Sequence, residues 1–244
     1  MKDGGEDTMA KIVMRNVDYD EISRELSNLF GPLSKEEQRL LSQNLSTESV
    51  RRNGVIYELG ALPEYCFFLL TGKVKICKDG IGGRSQIVRV VKDGELFGCR
   101  AAFAGEHYST SAKALEVSQI ARAPLQLITQ LAQSNGSVGM YFIRTYARLL
   151  GRSELKIVNL TQKHIRGRLA ESLLALKDIY GEDEHTHALN LYLSREDLAS
   201  LSNMTTSNAI RTLSGFASEK LVEIDGKRLK LLREDVLREI SRLG

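Results

Sequence analysis

The 244-residue chain holds little of what covalent or metal chemistry usually needs. Its three cysteines, Cys66, Cys77 and Cys99, lie 11 and 22 residues apart. That spacing makes neither a CxxC site nor a disulfide-dense scaffold. An odd, low count fits a reducing cytoplasm, which is the expected location. No apolar run approaches the roughly 18–20 residues that span a bilayer, and the polar start Met1-Lys2-Asp3-Gly4 does not read as a secretory leader. No membrane partner is expected. No HExxH, GxSxG, P-loop or paired-carboxylate constellation is present, so an enzyme is the poorest reading, and neither metal nor cofactor is expected.

Charged residues are plentiful, at 27%, but a large net charge of either sign is lacking. The net value is +3, which does not by itself mark a nucleic-acid binder. Its distribution says more. Residues 137–180 carry eight Lys/Arg against three Asp/Glu, or +5, whereas residues 194–244 carry nine against eight, or +1. The basic excess therefore lies just before the last segment, where it can flank phosphates.

What the chain does have is pattern. Residues 1–17 lack periodicity and read as an arm or loose strand. Residues 18–29 place Ile22, Leu26 and Leu29 at helical spacing, and residues 34–45 read as a second helix with Ser34 and Glu37 as a capping box. Residues 55–57, 66–70, 74–76, 87–91 and 117–121 are short strand-like runs with Gly-containing turns between them, which points to a jelly roll or barrel. Gly80-Ile81-Gly82-Gly83-Arg84 lacks the spacing of a phosphate loop and reads as a hairpin tip. A small helix over 124–132 precedes a long one over 136–163. There Ile143, Leu150 and Ile157 recur every seven residues, with Tyr146, Ser153 and Leu160 in the companion register. This is a coiled-coil-like seam and points to a homodimer, although an amphipathic helix packed on its own domain shows the same pattern. Another amphipathic helix, over 165–180, buries Leu169, Leu173 and Leu176.

Residues 194–232 carry the most specific pattern. Ser194 caps a short helix, with Asp197 in the position of a capping box's acidic arm and Leu198 and Leu201 on its apolar face. Asn203 suits a left-handed turn. Thr205 caps a second helix whose apolar side is Ala209, Ile210, Leu213 and Phe216. Residues 221–224, Asp225-Gly226 and 227–232 then read as strand, turn, strand. Helix, turn, helix, hairpin is a winged helix-turn-helix, a module that reads the DNA major groove.

Three motifs fall in a fixed order along the chain: Phe67-Phe68-Leu69-Leu70-Thr71-Gly72-Lys73-Val74, Asp93-Gly94-Glu95-Leu96-Phe97-Gly98, and Ile165-Arg166-Gly167-Arg168-Leu169-Ala170. With β-roll, long helix and winged helix in this order, the chain from about Tyr19 onward resembles the cyclic-AMP-receptor/fumarate-nitrate-regulator (Crp/Fnr) family of transcription factors. The resemblance implies an α+β chain. Its parts would be an arm (1–17), a cyclic-nucleotide-binding-like β-roll (18–135), a dimerisation helix (136–163) and a winged helix-turn-helix (164–244). The implied partners are double-stranded DNA at a near-palindromic operator, a second copy, RNA polymerase and a small-molecule effector. Implied DNA contacts are Thr205, Thr206, Ser207, Asn208 and Arg211, with Lys227 and Arg228 on the wing. Arg211 suits guanine or phosphate, and Asn208 suits adenine. Many members place Arg-Glu where this chain has Thr206-Ser207.

The implied effector pocket is Phe97, Gly98, Cys99, Arg100, Ser109, Thr110 and Ser153. Cyclic-nucleotide-binding members follow the matching Phe-Gly with a ribose-binding Glu. About ten residues later comes a phosphate-binding Arg, then Ser or Thr. This chain has Cys99, Ser109 and Thr110 there, and Arg100 is expected to point elsewhere. A lost charge-assisted hydrogen bond costs about 1.5–3 kcal/mol, so losing two weakens binding by roughly two to four decades. Cyclic AMP is therefore not expected to bind in the usual way. Residues 1–50 have no cysteine for an iron–sulfur cluster, and His107 and His164 are weak candidates for haem. Cys99 beside Arg100 reads either as a thiol sensor or as a buried small residue. The competing function is a metabolite- or redox-sensing protein that acts through protein contacts.

Overall fold

The computed structural model describes residues 17–80 and 83–244. The expected arm lies outside these residues except for Val17, as do Ile81 and Gly82 of the hairpin tip. Helix α1 (Tyr19–Phe30) starts at Asp18, whose carboxylate accepts from the N–H groups of Asp20 and Glu21. Helix α2 (Lys35–Asn44) opens with the full capping box. The Glu37 N–H donates to Ser34 Oγ at 3.2 Å, and the Ser34 N–H donates to Glu37 Oε2 at 2.7 Å. Two orphan donors of the first turn are thereby satisfied.

Eight short strands follow: β1 (Ser46–Val50), β2 (Val55–Tyr57), β3 (Tyr65–Thr71), β4 (Val74–Asp79), β5 (Ser85–Val91), β6 (Leu96–Phe97), β7 (Ser111–Ala114) and β8 (Ser118–Pro124). They form two antiparallel four-stranded sheets, ordered β1-β8-β3-β6 and β2-β7-β4-β5. Phe67, Leu69, Val74, Ile76, Phe97 and Ile120 fill the space between the sheets. The alternate residues of β3, Cys66, Phe68 and Leu70, face away from that space and pack in a second core with α1. Burial on both faces explains why β3 is almost continuously apolar. Strands β1, β6 and β7 were not anticipated from the sequence. Ser46-Thr47-Glu48-Ser49-Val50 is a polar edge strand fixed by its ladder to β8, and Ser111-Ala112-Lys113-Ala114 has no bulky apolar alternation.

Helix α3 (Arg100–Phe103) is one turn between β6 and β7, and α4 (Leu125–Ser134) leads into α5 (Gly136–Gln162). Val138 and Phe142 anchor α5 in the core shared with α1. Its seam residues Ile143, Leu150 and Ile157 are 63%, 62% and 62% exposed, whereas Tyr146 in the companion register packs against that core.

The C-terminal unit comprises α6 (Ile165–Tyr180), α7 (Arg195–Leu201), α8 (Thr206–Ser218), β9 (Val222–Asp225), β10 (Arg228–Leu231) and α9 (Glu234–Leu243). One core unites Leu169, Leu173, Leu198, Leu213, Phe216 and Leu237. Helix α9 was not read from the sequence. It buries Leu237, and its Glu234 pairs with Lys177 of α6 at 2.6 Å.

Strand β5 is a sheet edge, and α7 covers it. The Ile87 N–H donates to Ser200 Oγ at 2.8 Å, and Ser200 Oγ donates to the Ser85 carbonyl at 2.7 Å. An open ladder edge is thus closed by the C-terminal unit rather than by another strand. Lys75 of β4 pairs with Asp197, and Tyr180 donates to the Val91 carbonyl at 3.1 Å. Asp197 is therefore not the acidic arm of a capping box. Its N–H donates to Ser194 Oγ at 3.0 Å, but its carboxylate takes Ser194 Oγ–H and the Lys75 ammonium. A cation within reach is a stronger partner than one neutral N–H.

Candidate functional site

Two regions bring the sequence-predicted residues together. The first is built on α7 and α8. Asn203 has φ 50°, the left-handed turn its type suits. Arg168 of α6 donates to the carbonyls of Ser202 and Asn203 at 3.2 and 3.3 Å, so a charged clamp holds the turn. Thr205 caps α8 by accepting from the Asn208 N–H at 3.2 Å. Thr205, Thr206, Ser207 and Arg211 are exposed, and Asn208 is half-buried. Arg211 donates to Asn208 Oδ1 at 2.7 Å, so these two polar groups present themselves as a pair. Ile210 corrects the expected apolar side. It is 46% exposed, while Ala209, Leu213 and Phe216 are buried. One helical step of about 100° carries Ile210 from the core to the outer face.

The wing follows from β9 and β10. Asp225 pairs with Arg228, so the two-residue loop is Gly226-Lys227, not Asp225-Gly226. Gly226 supplies φ 57° at the loop's first position, as such tight hairpins require. Lys227 and Arg228 are exposed. Arg195 of α7 donates to the Gly226 carbonyl at 3.1 Å and ties the wing to the helix pair. The outer surface of this unit thus offers hydroxyls, an Arg–Asn pair and wing-tip cations at a helix start. Such a set meets phosphates and base edges.

The second region is a cavity of about 400 Å³ between the β-roll and α5. Phe97, Gly98, Cys99, Arg100, Thr110 and Ser153 line it. Ser109 stands behind this wall and accepts from Arg100 at 2.7 Å. Arg100, expected to point elsewhere, is itself among the lining residues; it opens the one-turn helix α3, and its guanidinium is bound to Glu106 and Ser109. Thr110 lies 3.5 Å from the Tyr57 hydroxyl. Ser153 hydrogen-bonds back to the Leu149 carbonyl at 2.9 Å. Arg89, Arg152 and Lys156 also line the cavity, and no Asp or Glu does among the described residues. Burial pushes Lys156 below the usual lysine range; it donates to the Ile87 carbonyl at 3.0 Å. Tyr57, Tyr108 and Tyr146 have hydroxyl pKa values raised by burial and remain donors. Sequence reasoning missed Arg89, Arg152 and Lys156, whose convergence depends on how β5 meets α5.

Cys99 corrects a second expectation. It is bonded to Cys66 in a disulfide, with Cα atoms 5.1 Å apart. Spacing gave no hint of it, because the β3–β6 ladder, not sequence proximity, brings them together. Cys77 is free and buried, and burial pushes its thiol pKa up.

Residues 47–135 match the cyclic nucleotide-binding domain model, and residues 167–240 match the Crp-like helix-turn-helix domain model. The chain belongs to the Crp/Fnr family of transcription regulators. It is 26% identical over 185 residues to the nitrogen fixation regulation protein FixK of Azorhizobium caulinodans, covering 75% of this chain and 73% of the relative. It is 23% identical over 171 residues to the cAMP-activated global transcriptional regulator CRP of Pasteurella multocida, covering 70% and 82%. Among solved structures it resembles FixK2 from Bradyrhizobium japonicum, with TM-score 0.72 and 21% identity over 80% of this chain and 96% of that one. Most of the β-roll falls in the segment matched by the cyclic nucleotide-binding domain, and α8 in the segment matched by the Crp-like helix-turn-helix domain. Among the described residues no helix is long and apolar enough to cross a membrane.

Proposed function

We propose that this Crp/Fnr chain is a homodimeric, sequence-specific regulator that binds double-stranded DNA at a near-palindromic operator. The observation that carries the reading is the outer face of α8. Thr206, Ser207 and Arg211 stand exposed on a helix whose entry turn is clamped by Arg168. The exposed Ile143, Leu150 and Ile157 stripe on α5 supports pairing with a second copy, which would place two recognition helices about one DNA turn (~34 Å) apart. Ile210 adds an apolar contact suited to a thymine methyl, and Thr206-Ser207 lowers the dependence on guanine. RNA polymerase is the protein partner that fits this role where the bound site lies beside a promoter.

The cavity takes an effector that is anionic with an apolar or aromatic body. Arg152 and Lys156 line it beside Tyr57, Phe97 and Tyr146, while Arg89 and Arg100 in the same wall are already paired with Glu95 and Glu106. Cys99 and Ser109 in place of Glu and Arg argue against cyclic AMP in its usual pose.

Binding to genomic DNA as a function of salt tests the reading. Lys227 and Arg228 in two copies give about four phosphate-neutralising cations. Affinity is expected to fall by about two decades between about 50 and 200 mM salt. Arg211→Ala is expected to level the affinities of operator and random DNA. No binding at low salt would favour a protein-contact role.

A further inference from the structure

Cys66 and Cys99 join the centre of the β-roll to the wall of its cavity. Cys66 is the second residue of β3. Phe67 pairs with Phe97 of β6, so the ladder brings Cys66 alongside the turn that follows Phe97. Gly98 makes that turn with φ +86° and leads into Cys99. Cys99 is the N-cap residue of α3, and its carbonyl accepts from the Phe103 N–H at 3.1 Å. The sulfur–sulfur bond thus fastens the head of α3 to the central strand. Helix α3 in turn touches α5, since the Phe103 ring lies 4.7 Å from Phe142 and 6.2 Å from Tyr146. Arg100, next after Cys99, donates to Glu106 at 3.2 Å and to Ser109 at 2.7 Å and so ties the head of α3 to the segment that leads into β7. Cys66 is 1% exposed and Cys99 2%, and Cys99 is one of the residues bordering the 400 Å³ cavity, so an oxidant entering that cavity comes within one residue layer of the pair.

We propose that Cys66 and Cys99 form a reversible redox site, oxidised by hydroperoxides, that sets the position of α3 against α5. In the dithiol form Cys99 sulfur attacks a peroxide oxygen. The O–O bond breaks, and hydrogen peroxide leaves as water with Cys99 as sulfenic acid. Cys66 sulfur then attacks the Cys99 sulfur, the S–O bond breaks and a second water leaves. Two thiols lose two electrons and two protons in total, and one peroxide is reduced to two waters. A dithiol reductant reverses the step by exchange. Cys77 takes no part, because it lies on β4, in the sheet opposite β3, and its sulfur is bonded to neither of the other two. The link from this site to DNA affinity rests on the regulator reading above.

The test uses the full-length protein after dithiothreitol and again after hydrogen peroxide, with thiol alkylation and peptide mapping. A Cys66–Cys99 cross-linked peptide is expected after peroxide and not after dithiothreitol. Hydrogen exchange over residues 97–110 and 138–150 is expected to rise on reduction. DNA affinity is expected to differ by about 5-fold or more between the two forms. Cys77→Ser is expected to keep the response, and the double variant Cys66→Ser, Cys99→Ser to lose it. The reduced wild type supplies the same comparison should the double variant not fold. No cross-link, or unchanged exchange in both segments, would overturn the site. If cross-link and exchange respond but neither form binds DNA, the regulator reading fails and the redox site stands. Equal DNA affinity in two binding forms would overturn the coupling to α5.

Discussion

Gly98 shows how one residue shapes the cavity wall. Its φ of +86° suits glycine alone, and an added Cβ would lie 2.6 Å from Phe67 Cδ2. Phe67 is buried and stacked on Phe97 with ring centroids 5.3 Å apart, so it has no room to yield. Gly98→Ala is expected to destabilise the protein by about 1–3 kcal/mol through strain and overpacking, read as a lower denaturation midpoint. The pair pattern at this scale was only partly legible in the sequence. The Asp93 to Gly98 motif marked the turn. The Cys66–Cys99 bond joins residues 33 apart in the chain, so local pattern could not show it.

At the scale of elements, caps and seams do different work. Glu37 has its pKa lowered from the ordinary 4.5, first by the Ser34 backbone N–H and also by the Asn135 side chain. Its folded value lies below its unfolded value, so ionised Glu37 adds stability that is fully present above the unfolded value. That stability is lost as pH falls through the folded value. Glu37→Gln is expected to flatten the loss of thermal stability between about pH 6 and pH 3. The α5 seam tests assembly rather than folding. Leu150 is 62% exposed in one chain, so Leu150→Glu should leave the fold intact. Two buried leucines contribute roughly 3 kcal/mol to the proposed dimer, so dissociation should strengthen by about two decades in sedimentation. Helices with strong caps and heptads were readable from sequence because their signals are local. Polar β1, two-residue β6 and small-residue β7 exist only because ladders recruit them, so local pattern could not show them.

Across the whole molecule, the cavity and the recognition helix are joined by shared elements. Strand β5 contributes Arg89 to the cavity and its outer edge to α7 through Ser200. Helix α5 carries both the cavity's Lys156 and the exposed stripe, and Lys156 holds the Ile87 carbonyl of β5. In the proposed dimer, a ligand or redox change at the cavity would act on surfaces that also set the spacing of the two α8 helices. The central claim is that two copies read DNA together, and footprinting of the purified protein on genomic DNA tests it most directly. The account predicts protected near-palindromes whose half-sites lie about one helical turn apart. Protection of single, unrepeated half-sites would contradict it.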